Sequence, residues 1–302
     1  MLNDPRDVPF VKLTISATLV VIPFAAMLYA PGVFRWWLAL VYLAVNFAVF
    51  LDRFILMLHN TSHRALFKPR LRWLNSYIPW VLGPFFGETP ETYFAHHVGM
   101  HHPENNLAAD LSSTMEFQRD RVSDFARYYG RFMFRGLPDL AKYLGQKNRT
   151  HLRARMLAGE LLFIATAVGL AYVNWRATLV VFFIPVVAVR FLMMAGNWGQ
   201  HAFVAADAPE SAFKNSITCL AARYNRRCFN DGYHIGHHVK GTSRRLLKLK
   251  VAVPSPPIGR SGSLWKETAD GKECQEEAGE PRVQCADGPA DAAGCGDVRR
   301  AA

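Results

Sequence analysis

The sequence predicts an all-α membrane protein, with four transmembrane helices in two hairpins and a cytosolic helical cap that carries clustered histidines. Two observations support this prediction. The 302-residue chain is 51% hydrophobic, and its apolar residues gather in long stretches that contain very few charges. Ten of its eleven histidines fall in four short clusters located beside or between those stretches.

Four segments have the length and composition of membrane-crossing helices. We predict spans at about 11–30, 36–58, 156–174 and 177–198. About 17 to 25 apolar residues are needed to cross a hydrocarbon core of roughly 30 Å. A helix on the surface of a soluble core would show a polar stripe, which these segments lack. The first span has no convincing cleavage site, so we expect it to be retained and not removed as a signal peptide.

Basic residues indicate on which side of the membrane the loops lie. The short loops 31–35 and 173–176 each contain a single arginine, whereas the connection from Asp52 to Arg155 holds most of the basic residues that precede the tail. By the positive-inside rule, that connection and both termini are cytosolic. The same topology explains the net charge of +11, so we expect no nucleic-acid partner.

The long connection contains two less polar stretches, and the chain changes character after it. Residues 73–86 would reach only about 20 Å as a helix, which is too short to cross. Residues 117–143 mix aromatic and basic side chains, as an amphipathic helix at a membrane surface does. We divide the chain into a membrane domain, residues 1–240, and a tail, residues 241–302, which we predict to be disordered from its composition.

Histidine spacing is the main functional feature of the sequence. The clusters are HNTSH, HHVGMHH, one histidine after the fourth span, and HIGHH; their members are His59, His63, His96, His97, His101, His102, His201, His234, His237 and His238. Residues three or four apart share one face of a helix. The topology places all four clusters at one cytosolic edge, where they can converge. His151 lies alone in a basic run, and we interpret it as a surface residue.

The number of histidines points to two metal ions. Nine or ten imidazoles are too many for one ion, since a structural zinc site uses four ligands. Imidazole suits zinc, copper, iron and nickel, so the ligands alone do not identify the metal. A nitrogen-ligated site at the bilayer surface is well placed to activate dioxygen near an alkyl chain. We therefore expect iron, with zinc or copper as alternatives.

The order HxxxH, HxxxHH, NxxxH and HxxHH resembles the membrane fatty acid desaturase and hydroxylase superfamily over residues 11–239. The resemblance implies that two irons share nine histidines. By motif position, one iron is held by His59, His63, His97, His102 and His237. The other is held by His101, His201, His234 and His238, with Asn197 reaching it through a water. His96 has no place in this scheme and would be a spare or supporting ligand.

Ligating imidazoles usually donate their second N–H to a carboxylate or a carbonyl. We expect Asp231, one turn before His234, to accept such a bond. The other candidates are Glu88, Glu91, Glu104, Asp110 and Asp207, and each of them is also explained as ordinary cytosolic surface charge.

The resemblance implies oxidation of an unactivated C–H bond of a lipid by dioxygen. We expect a fatty acyl lipid desaturase in the endoplasmic reticulum membrane. The same ligands also suit a hydroxylase or ketolase that acts on alkyl, sterol or carotenoid substrates. After HIGHH the chain continues into GTSRRLLKLK, where family members have a Pro- and Trp-containing segment that closes the site. This departure leaves open an inactive truncated paralogue or a metal-binding membrane protein.

Two electrons must come from outside the chain, which has no HPGG haem motif, no iron–sulfur spacing of cysteines and no GxGxxG. The resemblance implies a separate donor such as cytochrome b5 or ferredoxin. A basic cytosolic face would suit an acidic donor, and positive-inside topology explains it equally well; it comprises Arg64, Lys68, Arg70, Arg72, Arg223, Arg226 and Arg227.

Overall fold

The computed structural model describes residues 1–202 together with Ser211, Ile217, Asn225, Arg227 and Phe229. This part of the chain is mostly helical and has no strand, in agreement with the predicted all-α class. One isolated antiparallel bridge joins Leu2 to Phe67. The predicted boundary at residue 240 and the tail of residues 241–302 lie outside the described residues, so both stay predictions.

The N-terminal part forms an antiparallel helical pair. Helix α1 (Val8–Tyr29) follows a 3₁₀ turn, and a π-helical segment (Val45–Leu51) joins α2 (Trp36–Ala44) to α3 (Asp52–His63) in one continuous helix. Arg64, directly after α3, pairs at 2.5 Å with Asp7, directly before α1. The start of α1 and the histidine-bearing end of α3 therefore lie at the same end of the pair.

The long connection is built from short helices and one long one. Three short helical segments follow α3 at Pro69–Ser76, Ile78–Leu82 and Gly83–Phe86. Helix α4 (Thr92–His96), a π-helical turn (His97–His101) and α5 (His102–Glu104) then form one continuous element that contains the second histidine cluster. Helix α6 (Val122–Gln146) occupies most of the predicted amphipathic stretch and begins five residues later than predicted.

Helix α6 and the second histidine cluster share a small core of their own. Leu140 and Leu144 of α6 pack with Met100 of the π-helical turn and with Met156. The opposite face of α6 is open, where Phe134 is 87% exposed. This difference between the two faces agrees with the predicted amphipathic character.

The last described helices fold back on each other. Helix α7 (Thr150–Thr178) continues through a π-helical segment (Leu179–Phe183) into α8 (Ile184–Gln200), but Asn174 has non-helical backbone angles, with φ −158° and ψ 96°. Glu160 and Arg190 are 3.6 Å apart, whereas 30 residues of straight helix would separate them by about 45 Å. The chain therefore reverses its direction at Asn174.

Among the described residues, three helices are long and apolar enough to cross a membrane: Pro5–Tyr29, Trp36–His63 and Thr150–Gln200. Four spans were predicted. The third helix contains both of the last two predicted spans, because helical backbone resumes directly after Asn174. Large apolar side chains on these helices are exposed, among them Leu19, Leu40, Leu161 and Tyr172. Such surfaces are costly in water and are expected where a protein faces lipid.

The segment before α4 is in close contact with the last helices. An added Cβ at Gly159 of α7 would lie 2.1 Å from the carbonyl oxygen of Pro90, and one at Gly87 would lie 2.3 Å from that of Pro185. Gly87 also has a φ of +76°, a backbone conformation that is unfavourable for residues with a Cβ atom. Glycine at these two positions therefore permits the backbone contact that positions α4.

We predict that Gly159→Ala destabilises the protein by about 1 to 3 kcal/mol, because the added methyl group must displace the backbone of Pro90. The matched control is Gly169→Ala in the same helix, where an added Cβ meets nothing within 4 Å. Thermal unfolding of the detergent-solubilised variants measures both effects. Equal melting temperatures for the two variants would contradict this packing.

Candidate metal centre

The first histidine cluster lies on the last turn of α3. His59 and His63 are four residues apart, so both rings project from one face of the helix, with centroids 5.5 Å apart. Helical structure continues through both residues, as the sequence analysis expected. The ion pair of Arg64 with Asp7 fixes the point at which this helix ends.

Helix α7 holds the second cluster through a set of polar contacts. Glu160 accepts hydrogen bonds from the hydroxyl groups of Thr89 (2.5 Å) and Thr92 (2.7 Å). Arg155 pairs at 2.6 Å with Glu91, and Arg149 donates to the carbonyl oxygen of Gly99. These contacts lie at both ends of the histidine-bearing element and hold it against α7.

The π-helical turn decides which histidines of this element lie together. The backbone N–H of His102 bonds to the carbonyl oxygen of His97, five residues earlier. In a regular α-helix, residues five apart differ by about 140° around the axis. The π turn removes most of that difference, and the Nε2 atoms of His97 and His102 are 3.2 Å apart.

Four imidazoles from the two clusters converge on one point. The Nε2 atoms of His63 and His97 are 3.0 Å apart, and one nitrogen each from His59, His63 and His97 lie within 4.8 Å of one another. The His102 ring is 4.6 Å from those of both His63 and His97. We call this group the four-histidine cluster: His59, His63, His97 and His102.

The four-histidine cluster has the geometry of a metal-binding site. Imidazole nitrogens bind metal ions at about 2.1 Å, so two ligands at right angles lie about 3.0 Å apart. The observed separations of 3.0 and 3.2 Å match this value. A hydrogen bond between two imidazoles has a similar length, but the convergence of rings from two separate elements is typical of metal ligation. These residues therefore fit a metal ion that prefers nitrogen ligands.

His101 lies beside both the four-histidine cluster and His201. Its ring centroid is 5.8 Å from those of His97 and His102. It is 5.5 Å from that of His201, and the side chains of His101 and His201 are buried. Nδ1 of His101 donates to a carboxylate oxygen of Asp110 at 2.7 Å. In the neutral ring, this bond selects the tautomer in which the lone pair of Nε2 can bind a metal. These two rings therefore place further imidazole nitrogens next to the four-histidine cluster.

A tight loop brings Asp110 to His101. Asn105 and Asn106 both have positive φ, at 47° and 59°, a conformation that asparagine tolerates better than most residues. The carboxylate of Asp110 also accepts bonds from the backbone N–H groups of Asn106 (2.9 Å) and Ser112 (2.8 Å). Burial raises the pKa of Asp110, but His101 and the hydrogen bonds lower it by more, so this carboxyl group stays ionised.

Asn197 lies in a second polar group near His201. Its Nδ2 donates to the carbonyl oxygen of Ser112 (3.0 Å) and to the hydroxyl oxygen of Tyr128 (2.7 Å). Burial raises the pKa of Tyr128, so its hydroxyl group stays protonated. Ser112 also donates through its Oγ to Asp110 at 2.7 Å. These contacts join the end of α8 to the loop that supports His101.

The structure separates His96 from the four-histidine cluster. Its ring is half-buried and packs edge-on against Phe132 of α6, with centroids 5.6 Å apart. Burial lowers the pKa of His96 to about 4, so the ring is neutral.

Of the acidic residues considered from sequence, Asp110 contacts a histidine of the site. Glu91 instead pairs with Arg155 and receives a bond from Trp80, and Glu104 pairs with Lys147 at 2.8 Å. Burial raises the pKa of Glu88 to about 8. Sequence analysis gave Asp110 as one of several candidates, and the turn-forming Asn105–Asn106 pair followed by an aspartate was a local indication of this loop.

The third histidine cluster lies outside the described residues. Its members are His234, His237 and His238, and the same holds for Asp231 and Asp207. Their assignment to the metal centre stays a prediction.

A model of the fatty acid desaturase family matches residues 34–244. The match covers well over half of the chain and includes all four histidine clusters. A search of curated proteins and a search of solved structures each found no match.

We predict that Asp110→Asn lowers metal affinity about 10- to 100-fold, because an amide cannot hold the His101 ring as the carboxylate does. Glu104→Gln is the matched control, since Glu104 lies in the same region and pairs with Lys147. Metal content per chain, measured after dialysis against a weak chelator, reports the difference. If the Asp110→Asn variant retains as much metal as the unaltered chain, Asp110 does not contribute to metal affinity.

Proposed function

The chain belongs to the fatty acid desaturase family, and we propose that it introduces a double bond into a fatty acyl chain. Members of this family are membrane oxidoreductases that act on lipids. In our proposal dioxygen is the oxidant, and the two further electrons come from a separate protein. The observation that carries the proposal is the convergence of four imidazoles at one point beside the His101–His201 pair.

We assign two iron ions to this centre. The four-histidine cluster and His237 would hold one ion. The other would be held by His101, His201, His234 and His238, with Asn197 acting through a water. The contacts of the described histidines support this division, because the Nε2 atoms of His97 and His102 are 3.2 Å apart, while the ring of His101 is held by Asp110 next to that of His201. When bound, the irons supply the chemistry that activates dioxygen.

The protein's own residues hold the ligands in place and keep the centre dry. Asp110 fixes the Nδ1–H tautomer of His101. The exposed fractions of the His59, His101 and His201 side chains are 8%, 4% and 0%. Exclusion of water protects a reactive centre from side reactions. Directly before His59 on α3, Phe54 and Met57 are completely buried. These side chains form part of the apolar packing next to the centre.

We propose four membrane crossings, because the reversal at Asn174 makes two antiparallel crossings of the helix Thr150–Gln200. The histidines and both termini would face the cytosol, and the membrane would be the endoplasmic reticulum. The ion pair of Asp7 with Arg64 supports a shared side for the N-terminus and the first histidine cluster. The single arginines of the predicted loops, Arg35 and Arg176, would lie on the opposite side.

We predict that yeast expressing the chain accumulates a lipid two mass units lighter than its precursor. His97→Ala should abolish this product, because His97 contributes a nitrogen to the four-histidine cluster. His96→Ala should keep measurable activity, and the surface control His151→Ala should keep full activity. Mass spectrometry of extracted lipids, with metal content measured on the purified variants, provides the readout.

Two outcomes would contradict the desaturase proposal, and a third would contradict the assignment of His97 as a metal ligand. A product about sixteen mass units heavier indicates a hydroxylase, since oxygen is then retained. Iron-loaded protein without any product indicates an inactive paralogue. Turnover in the His97→Ala variant would contradict the ligand assignment itself.

We further propose that an acidic electron donor of the cytochrome b5 type docks on the basic face near α3. Arg70 and Arg72 are exposed and belong to the short helical segment that follows the first histidine cluster. Complementary charge accelerates the association of partners and weakens as salt is added. This face suits a soluble acidic domain that must approach the metal centre from the cytosol.

We predict that the double variant Arg70→Gln/Arg72→Gln needs about tenfold more donor for half-maximal turnover at low salt, with little change in kcat. The charge-matched control is Arg35→Gln/Arg176→Gln, which removes two arginines from the opposite loops. Steady-state turnover against donor concentration, at low and at high salt, distinguishes the two. Equal effects of both double variants would contradict docking on this face.

A further inference from the structure

A cavity of about 670 Å³ lies between the first turns of α1 and residues 49–53 of the Trp36–His63 helix, which are near the predicted end of that span at residue 58. None of the described histidines lines it. Its walls include Lys12, Leu13 and Ser16 of α1 and Phe50 and Arg53 of the second helix. Its size is within the roughly 300–1,000 Å³ that is usual for small-molecule sites.

The cavity carries excess positive charge. Neither Lys12 nor Arg53 pairs with a carboxylate among the described residues. Arg53 donates to the carbonyl oxygen of Val49, and its Nε is buried without a hydrogen-bond partner in the described structure. Arg227, a third cation of the wall, pairs with Asp52 (Nη2 to Oδ1, 3.3 Å). Two of the three cations are therefore not neutralised.

The remaining walls are apolar and belong to helices that can cross the membrane. Leu13 and Phe50 are buried, and Phe229 packs edge-on against Phe10 with centroids 4.8 Å apart. Lysine and arginine near the end of a spanning helix extend to the level of the lipid headgroups. A donor-rich group directly beside apolar helix surface matches a ligand that has an anionic head and an alkyl tail.

We propose that this cavity binds the headgroup of an anionic phospholipid. The phosphate would accept hydrogen bonds from Lys12 and from Nε of Arg53, and the acyl chain would lie along Leu13 and Phe50. The volume suits the headgroup and the first part of the chain, and the rest would extend into the bilayer. This site is separate from the metal centre and does not depend on the oxidation proposed above.

The ligand would join parts of the fold that also support the metal centre. Asp52, the partner of Arg227, lies seven residues before His59 on α3. A ligand that binds only the folded state stabilises it by a free energy that increases with the logarithm of the ratio of ligand concentration to dissociation constant. Bound anionic lipid should therefore raise the melting temperature of the purified protein.

The test is native mass spectrometry of the full chain in detergent with added phosphatidylglycerol, phosphatidylcholine or inorganic phosphate. We expect one retained phosphatidylglycerol and about tenfold weaker retention in Lys12→Gln/Arg53→Gln, because each cation near the surface contributes to the attraction of anionic lipid. Arg53→Lys keeps the charge and should retain most of the binding. The control Arg70→Gln/Arg72→Gln should bind like the unaltered chain.

Three results would overturn the proposal. Unchanged lipid retention in the Lys12→Gln/Arg53→Gln variant excludes these cations as the site. Equal retention of phosphatidylcholine excludes selection by charge. Competition by inorganic phosphate at low concentration, without any gain from an acyl chain, indicates a small-anion site. Melting temperatures of all variants without lipid establish that each one is folded.

Discussion

A carboxylate buried on a helix that is long and apolar enough to cross a membrane needs polar partners, and the partners of Glu160 align three parts of this fold. Thr89 and Thr92 donate to it from the segment that begins α4, and Arg190 approaches it from α8. Leaving such a group without partners costs several kcal/mol. The same set of bonds therefore sets the register between α7 and α8 and the position of α4. The hydrogen bonds to Glu160 therefore also position the second histidine cluster, which follows Thr92 in the same helical element.

Local composition explains why the spanning helices were predictable. Long apolar stretches without charge define their extents, and the observed helices begin or end within a few residues of the predicted spans 11–30 and 36–58, apart from the helical extension to His63. The separation between the last two spans was harder to predict. The reversal at Asn174 uses very little chain, and Arg176, which was assigned to a loop, lies in helical backbone. Composition does not distinguish a loop of four residues from a sharp break inside helical structure.

The contacts that hold the histidine rings in place could not be predicted from the spacing of the histidines in the sequence. Asp110 reaches His101 because two asparagines adopt positive φ and return the chain toward the π-helical turn. The expectation for Asp231, one turn before His234, concerns residues outside the described part of the chain and stays a prediction. The adjacent residues His96 and His97 also look equivalent in the sequence. Their roles diverge because only the ring of His97 points toward α3, while that of His96 packs on Phe132.

The backbone determines which rings of the second histidine cluster lie together. In a regular α-helix, His97 and His101 would share a face and His102 would lie about 100° from His101. The π turn instead brings His102 over His97 and leaves His101 beside His201. π-helical turns are rare and concentrate at functional sites. Here α7 holds the turn directly: Arg149 bonds to the carbonyl oxygen of Gly99, and a Cβ at Gly99 would lie 2.6 Å from Leu152. Contacts with α7 and the residue before it therefore fix an uncommon backbone conformation within a short histidine motif, and that conformation determines where the histidine rings lie.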